Sequence, residues 1–326
     1  MLRSMYSGIS GLRNFQTKLD VIGNNIANVN THGFKKSRVI FKDLISQTQS
    51  GASGATATRG GVNPKQVGLG TQMAAIDTMH GGGSMQSTGN VLDLGIEGDG
   101  FFMVADANGA PNPAENNTIE EPGFSNYVYT RAGNFYMDNN GYIVNADGKY
   151  LVGVKADALV LKKGDPGVSA DSAPDVAGEE LENLFVGEAD EVAELTPNAG
   201  TLGPIRIPTT AESMTIGQDG KITYVDLEGS LQYAGQIIMS KFPNPGGLNK
   251  VGGNYYQPTV NSGNPYAQTA TVAGMGTVQS GFLEMSNVDL SEEFTEMIVA
   301  QRGFQANTRI ITTSDEILQE LVNLKR

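Results

Sequence analysis

No cysteine occurs anywhere in the 326-residue chain. That absence excludes disulfide scaffolds, cysteine-ligated zinc, iron–sulfur clusters and thiol catalysis together. Tryptophan is missing too, aromatic residues make up only 7%, and histidine occurs twice, at His32 and His80. Neither histidine has a second histidine or an acid at ligand spacing, so both read as surface polar residues rather than metal ligands or general bases. No run approaches the roughly 18 apolar residues of a membrane span. The opening MLRSMYSGISGLRNF has no uninterrupted apolar stretch and does not read as a cleavable signal. Bases are scarce, with 22 Lys and Arg against 35 Asp and Glu, for a net charge of −13. A basic footprint for nucleic acid is therefore lacking.

The motifs of common chemistries are missing as well. Gly95, Gly98 and Gly100 in GIEGDG lack the spacing of a dinucleotide fingerprint, and the FFMV that follows is no helix start. There is no phosphate-binding loop, no HExxH and no GxSxG. Asp138-Asn139-Asn140-Gly141 opens like a calcium loop, but the continuation YIVNADGK has no closing glutamate, so the stretch reads as a hairpin turn. No catalytic, cofactor or metal residue is assigned, and the chain is not expected to be an enzyme.

What the chain has is glycine, 42 residues or about 13% against a usual value of about 7%, and two ends unlike its middle. Near the start, Leu2, Met5, Ile9, Leu12, Leu19 and Ile26 recur at spacings of three, four and seven, with Gln16 and Gly23 at the two missing positions. This predicts an amphipathic helix that dissolves into Asn24, Asn25, Asn28 and Asn30, ending near Val29. Near the close, Leu290, Phe294, Met297, Phe304, Ile311, Leu318 and Leu321 repeat the pattern over about 35 residues without proline. Asp289 or Ser291 is placed to cap this second helix, with Glu292 and Glu293 in its first turn. Residues 1–30 are basic and 284–326 acidic, which suits pairing of the two ends. The apolar seam rather than charge carries such pairing, because exposed ion pairs contribute about 0–1 kcal/mol each. The twelve seam residues are Leu2, Met5, Ile9, Leu12, Leu19, Ile26, Phe294, Met297, Phe304, Ile311, Leu318 and Leu321, facing one another within or between subunits.

The middle divides by texture. Residues 31–90 are small, polar and glycine-rich and read as an extended connector. VLDLGIEGDGFFMV, YVYTRAGNFYMD, GYIVNADGKYLVGV, MTIGQDGKITYVD and GQIIMSKF alternate and are broken by DG, AG and NG pairs, which predicts antiparallel strands over 91–155 and 204–284. Between them, 156–203 is an acidic insertion, with nine acids and no base over 171–194. It is read as a small outer subdomain or a flap. The expected class is α+β: paired terminal helices (1–30 with 285–326) forming a coiled-coil-like inner domain, plus an antiparallel β-rich outer body.

Both ends carry a resemblance. SGISGLRNFQTKLDVIGNNIANVNTHGFKKSRVIFKDL and SGFLEMSNVDLSEEFTEMIVAQRGFQANTRIITTSDEILQELVNLKR resemble the opening and closing signatures of the bacterial flagellar rod and hook family. LDLGIEGDGFFMV and YTRAGNFYMDNNGYIVNADGKYLVG are similar to its β-domain motifs. The resemblance implies a self-assembling structural subunit of the extracellular flagellar hook, a bendable tube that transmits motor torque. The alternative within the family is the distal rod of the basal body, a rigid drive shaft, and outside it a secreted binding module. It further implies export through the flagellar type III apparatus without a cleaved signal, terminal helices lining a central channel, and partners comprising further copies of the chain, a rod protein, the hook cap and the hook–filament junction protein.

Overall fold

The computed structural model describes residues 2–56, 58–107, 124–155, 202–227, 229–272 and 274–324. The acidic insertion lies, up to residue 201, outside the described residues. The architecture is α+β: one helix at each end and a strand-rich body. The chain divides into two units, one of residues 1–29, 35–79 and 288–326, the other of 30–34 and 80–287.

The first unit holds both helices. Helix α1 spans Leu2–Ala27. It stops where asparagine begins to compete for the backbone: Asn28 Nδ2 donates to the carbonyl of Asn24 at 2.9 Å. Helix α2 spans Leu290–Asn323, and the Asp289 side chain caps it by accepting from the Ser291 and Glu292 N–H groups. Glu292 and Glu293 in the first turn complement the helix dipole. The helices lie antiparallel. Gly8 faces Ile311, Gly11 faces Asn307 and Gly303 faces Phe15; Lys18 pairs with Glu296. At 34 residues against 26, α2 outruns α1 by about 12 Å at 1.5 Å per residue.

Residues 31–90 do not form the extended connector expected. Strands β1 (Ser37–Asp43), β2 (Ser46–Ser50), β3 (Lys65–Gly68) and β4 (Thr71–Thr78) fold back as one long two-stranded arm. β1 pairs with β4 and β2 with β3, and bridges Ser53–Val62 and Thr56–Arg59 carry the ladder on to the turn. The pairing was invisible because both faces of most of the ribbon are exposed, so no alternation of apolar and polar residues marks it. An isolated two-stranded ribbon is marginal; here its root leans on α1, with Phe15 edge-on to Phe41 at 6.1 Å and Asn14 bonded to Thr71.

The second unit is the β body. Its main antiparallel sheet runs Ser213–Ile216, Lys221–Val225, Leu231–Lys241, Tyr150–Lys155, Phe101–Ala107, Phe124–Thr130, Tyr255–Gln257, Asn249–Gly252. Two apolar layers form, one around Phe102, Phe135, Leu151 and Ile237, the other around Phe101, Tyr129, Phe242 and Tyr256. The DG pairs form the expected turns: Gly148 and Gly220 sit at φ +77° and +79°, where a Cβ would be strained. Burial pushes the Tyr129 hydroxyl up to about 12.

One ion pair is buried inside this body. Arg131 Nη1 donates to Glu284 at 3.1 Å, with side-chain exposures of 3% and 0%. Arg131 also donates to the carbonyls of Ile96 and Gly98, and Glu284 accepts from the Gly83 N–H. The guanidinium lies 5.5 Å from the centre of the Phe101 ring. His80 is no simple surface residue either. It packs edge-on against Phe101 and Tyr256 at 5.5 and 5.4 Å, a tertiary placement that no local pattern reveals.

Candidate assembly interface

The helix pair carries an interface made on small residues. A Cβ added to Gly11 would sit 2.8 Å from Asn307 Nδ2, and one on Gly303 would sit 2.6 Å from Phe15 Cζ. Ala300 is fully buried and Ser314 nearly so. Glycine, alanine and serine at these positions let the two backbones approach closely. The predicted heptad of large residues is therefore not, as a whole, the line along which α1 meets α2. Ile311 does face α1, across Gly8, and Met297 and Leu318 are half-buried. Phe294, Phe304 and Leu321 are exposed, Phe294 by 50%. On α1, Ile9 is exposed, while Met5, Leu12, Leu19 and Ile26 are half-buried. Leu2 begins the helix.

Apolar surface thus remains on α2 to both sides of the line that α1 covers. On one side lie Leu290, Phe294 and Phe304. On the other, about 100° around the helix from the residues facing α1, lie Val299, Ile310, Ile317 and Leu324, all exposed. This second stripe was missed, although Ile310, Ile317 and Leu324 are spaced by seven and were there to be counted. Exposed apolar patches of this extent mark interaction sites rather than ordinary surface. The part of α2 that outruns α1 carries Ile317, Leu321 and Val322, with Leu324 capping its end, three of the four exposed by about half or more.

Charge lines the other end of the pair. Lys18 meets Glu296, and Lys36 Nζ meets Glu292 Oε2 at 2.7 Å. With Arg38 and Glu293 they border a cleft of about 300 Å³ floored by Val21, Ile22, Val39 and Met79. Three bases and three acids line the cleft, so it has no excess of either sign with which to recruit an ion. Among the described residues no group of three or more potential metal ligands occurs. None of the described helices is long and apolar enough to cross a membrane.

The chain is similar to three family models: Flagella basal body rod protein over 5–35, Flagellar hook protein FlgE/F/G D1 domain over 118–224, and Flagellar basal body rod FlgEFG protein C-terminal over 279–324. The two terminal models fall on the two helices. It is also 50% identical to the flagellar basal-body rod protein FlgG of Bacillus subtilis, with both chains covered in full. The chain belongs to the flagellar rod and hook family. Hook proteins match as well: FlgE of Borreliella burgdorferi at 34% identity and FlgE of Treponema pallidum at 30%, again over the whole of both chains. This rod and hook family member is therefore a structural protein of the flagellum. Its relatives are structural components, not enzymes, and a family that builds a continuous axial structure associates with copies of itself.

Proposed function

We propose that the chain is the repeating subunit of the flagellar hook, outside the cell, and that its terminal helices form the inner wall of a tube. The observation that supports this reading most directly is the apolar surface left on α2 after α1 has packed against it. A wide apolar face on one helix needs more than one partner, and neighbouring copies in a tube supply them on both sides. The twelve seam residues, Leu2, Met5, Ile9, Leu12, Leu19, Ile26, Phe294, Met297, Phe304, Ile311, Leu318 and Leu321, then divide between contacts inside the subunit and contacts across subunits, in a coiled-coil-like layer. Fully burying one leucine or phenylalanine contributes about 1.5–3 kcal/mol, repeated at every subunit. The arm and the β body would make the outer wall. Passage through the flagellar export apparatus without a cleaved signal, and contact with a rod protein, the hook cap and the hook–filament junction protein, belong to the same proposal.

A second reading is favoured by a specific observation: the 50% identical relative bears the name of a rod protein. In that case the tube is a straight drive shaft rather than a flexible joint. Electron microscopy of the purified full-length chain, polymerised by salt, decides between them. Curved tubes support the hook. Straight, rigid tubes support the rod. Absence of any polymer under all salt conditions overturns both.

A further inference from the structure

Asn25 occupies an unusual position in the first unit. It stands near the end of α1 with 2% exposure. Its Nδ2 donates to the carbonyl oxygen of Ser37 at 2.9 Å, and its Oδ1 accepts from the N–H of the same residue at 3.0 Å. The side-chain amide therefore grips the first residue of β1 through both backbone groups, as a neighbouring strand would. The remaining Nδ2 hydrogen points to Glu293 Oε2, 3.2 Å away on the first turn of α2. Next to this contact, Lys36 donates to Glu292, and the Met79 N–H donates to the Lys36 carbonyl, closing the two legs of the arm.

We infer that Asn25 is a positioning residue that couples the pairing of the terminal helices to the seating of the arm. Three segments meet at one amide: the end of α1, the root of the arm and, from the far end of the chain, the start of α2. All three hydrogen-bonding functions of that amide are used, and a buried amide left with partners missing is costly. Asparagine alone among the twenty side chains has this reach with both a donor and an acceptor. Aspartate keeps the acceptor, loses both donors and sets a second carboxylate against Glu293. Before the helices pair, Ser37 has neither the end of α1 in place nor the start of α2 behind it. The root of the arm is then free, and helix pairing locks it. The inference rests on the proposed role of the terminal helices as the assembly layer, but the clamp joins segments of one subunit and is measured on the chain whether or not it polymerises.

The experiment is pulse proteolysis of the full-length chain. Trypsin cleavage after Arg38 and Lys42 reports the root of the arm, cleavage after Lys149 reports the β body, and circular dichroism at 222 nm reports the helices, each across a urea series. In the wild type, opening of the arm root and loss of helix signal are expected at the same urea midpoint. In Asn25→Asp, cleavage after Arg38 without urea is expected to rise about tenfold or more, with the helix signal and cleavage after Lys149 unchanged. Should Asn25→Asp lose its helices outright, Ser37→Pro removes the N–H that the amide accepts from and fixes the backbone angle of that residue, and the same rise is expected with both helices untouched. Separate midpoints in the wild type overturn the inference. So does unaltered cleavage after Arg38 in Ser37→Pro, or in an Asn25→Asp chain whose helices remain paired.

Discussion

Replacing Arg131 by methionine tests whether the buried ion pair holds the β body together. The substitution removes the cation from Glu284, whose side chain is fully buried, and takes the donors away from the carbonyls of Ile96 and Gly98. Methionine fills much of the volume beside Phe101 but donates nothing. Glu284 keeps the hydrogen bond from the Gly83 N–H but loses its opposite charge. Breaking such a pair from one side costs about 3–5 kcal/mol. In a unit of this size 1 kcal/mol moves the melting temperature by about 2–4 °C, so a loss near 4 kcal/mol corresponds to roughly 8–16 °C. The assay is supplied by composition. There is no tryptophan among the fluorophores, and of the 11 tyrosines only Tyr6 lies outside the β body, so tyrosine fluorescence reports that unit nearly alone. Lys221→Met is the control. Lys221 and Asp219 form an exposed pair in the same body, for which about 0–1 kcal/mol is expected. A shift in Arg131→Met no larger than that of the control would refute the reasoning.

Other outcomes follow from the helix unit. Glu293 has its carboxyl held above the usual range, first by burial, opposed by the hydrogen bond from Asn25 and the charge of Lys36 and reinforced by Glu292 and Glu296. A raised folded-state value means stability that is full below the unfolded value of about 4.5 and is lost as pH rises through the folded one. Glu293→Gln should therefore melt higher than wild type at pH 7, with the difference shrinking by pH 4; a constant difference across that range contradicts the assignment. Gly303→Val places a branched side chain against Phe15 and should lower the helix melting transition by about 1–3 kcal/mol. Gly23→Ala, where nothing lies within 4 Å, should raise it by up to about 1 kcal/mol; equal effects at the two sites would show that the helices do not approach there. Ile310→Asp with Ile317→Asp should leave helix content unchanged and abolish sedimentable polymer. Polymer of normal yield would show that this stripe faces solvent.

Local signals carried well into the structure. Asp289 with two glutamates behind it announced the start of α2, the asparagine run announced the end of α1, and the DG pairs marked hairpin turns, because each depends on a few neighbouring residues. What escaped depends on contacts far along the chain. The arm escaped because a ribbon exposed on both faces has no hydrophobic period. The helix contact escaped because Gly8, Gly11 and Gly303 act by lacking a side chain, whereas the seam was sought among large residues. Asn25 looked like part of a helix-ending run, and nothing nearby in sequence points to Ser37 or Glu293 as its partners. The acidic insertion was legible as composition alone.

The antiparallel course of α1 and α2 has a practical consequence for anyone labelling this protein. The start of α1 and the close of α2 lie at the same end of the helix pair, the close of α2 about 12 Å beyond the start of α1. A label carried on the first turn of α1 or the last turn of α2 therefore sits near the apolar residues Ile317 and Leu321. Moving such a label from one of these helix ends to the other gains no relief. The turn between Thr56 and Arg59 lies at the far end of the ribbon from the strand ends at Ser37 and Thr78, and is the place to insert a label that leaves both helices bare.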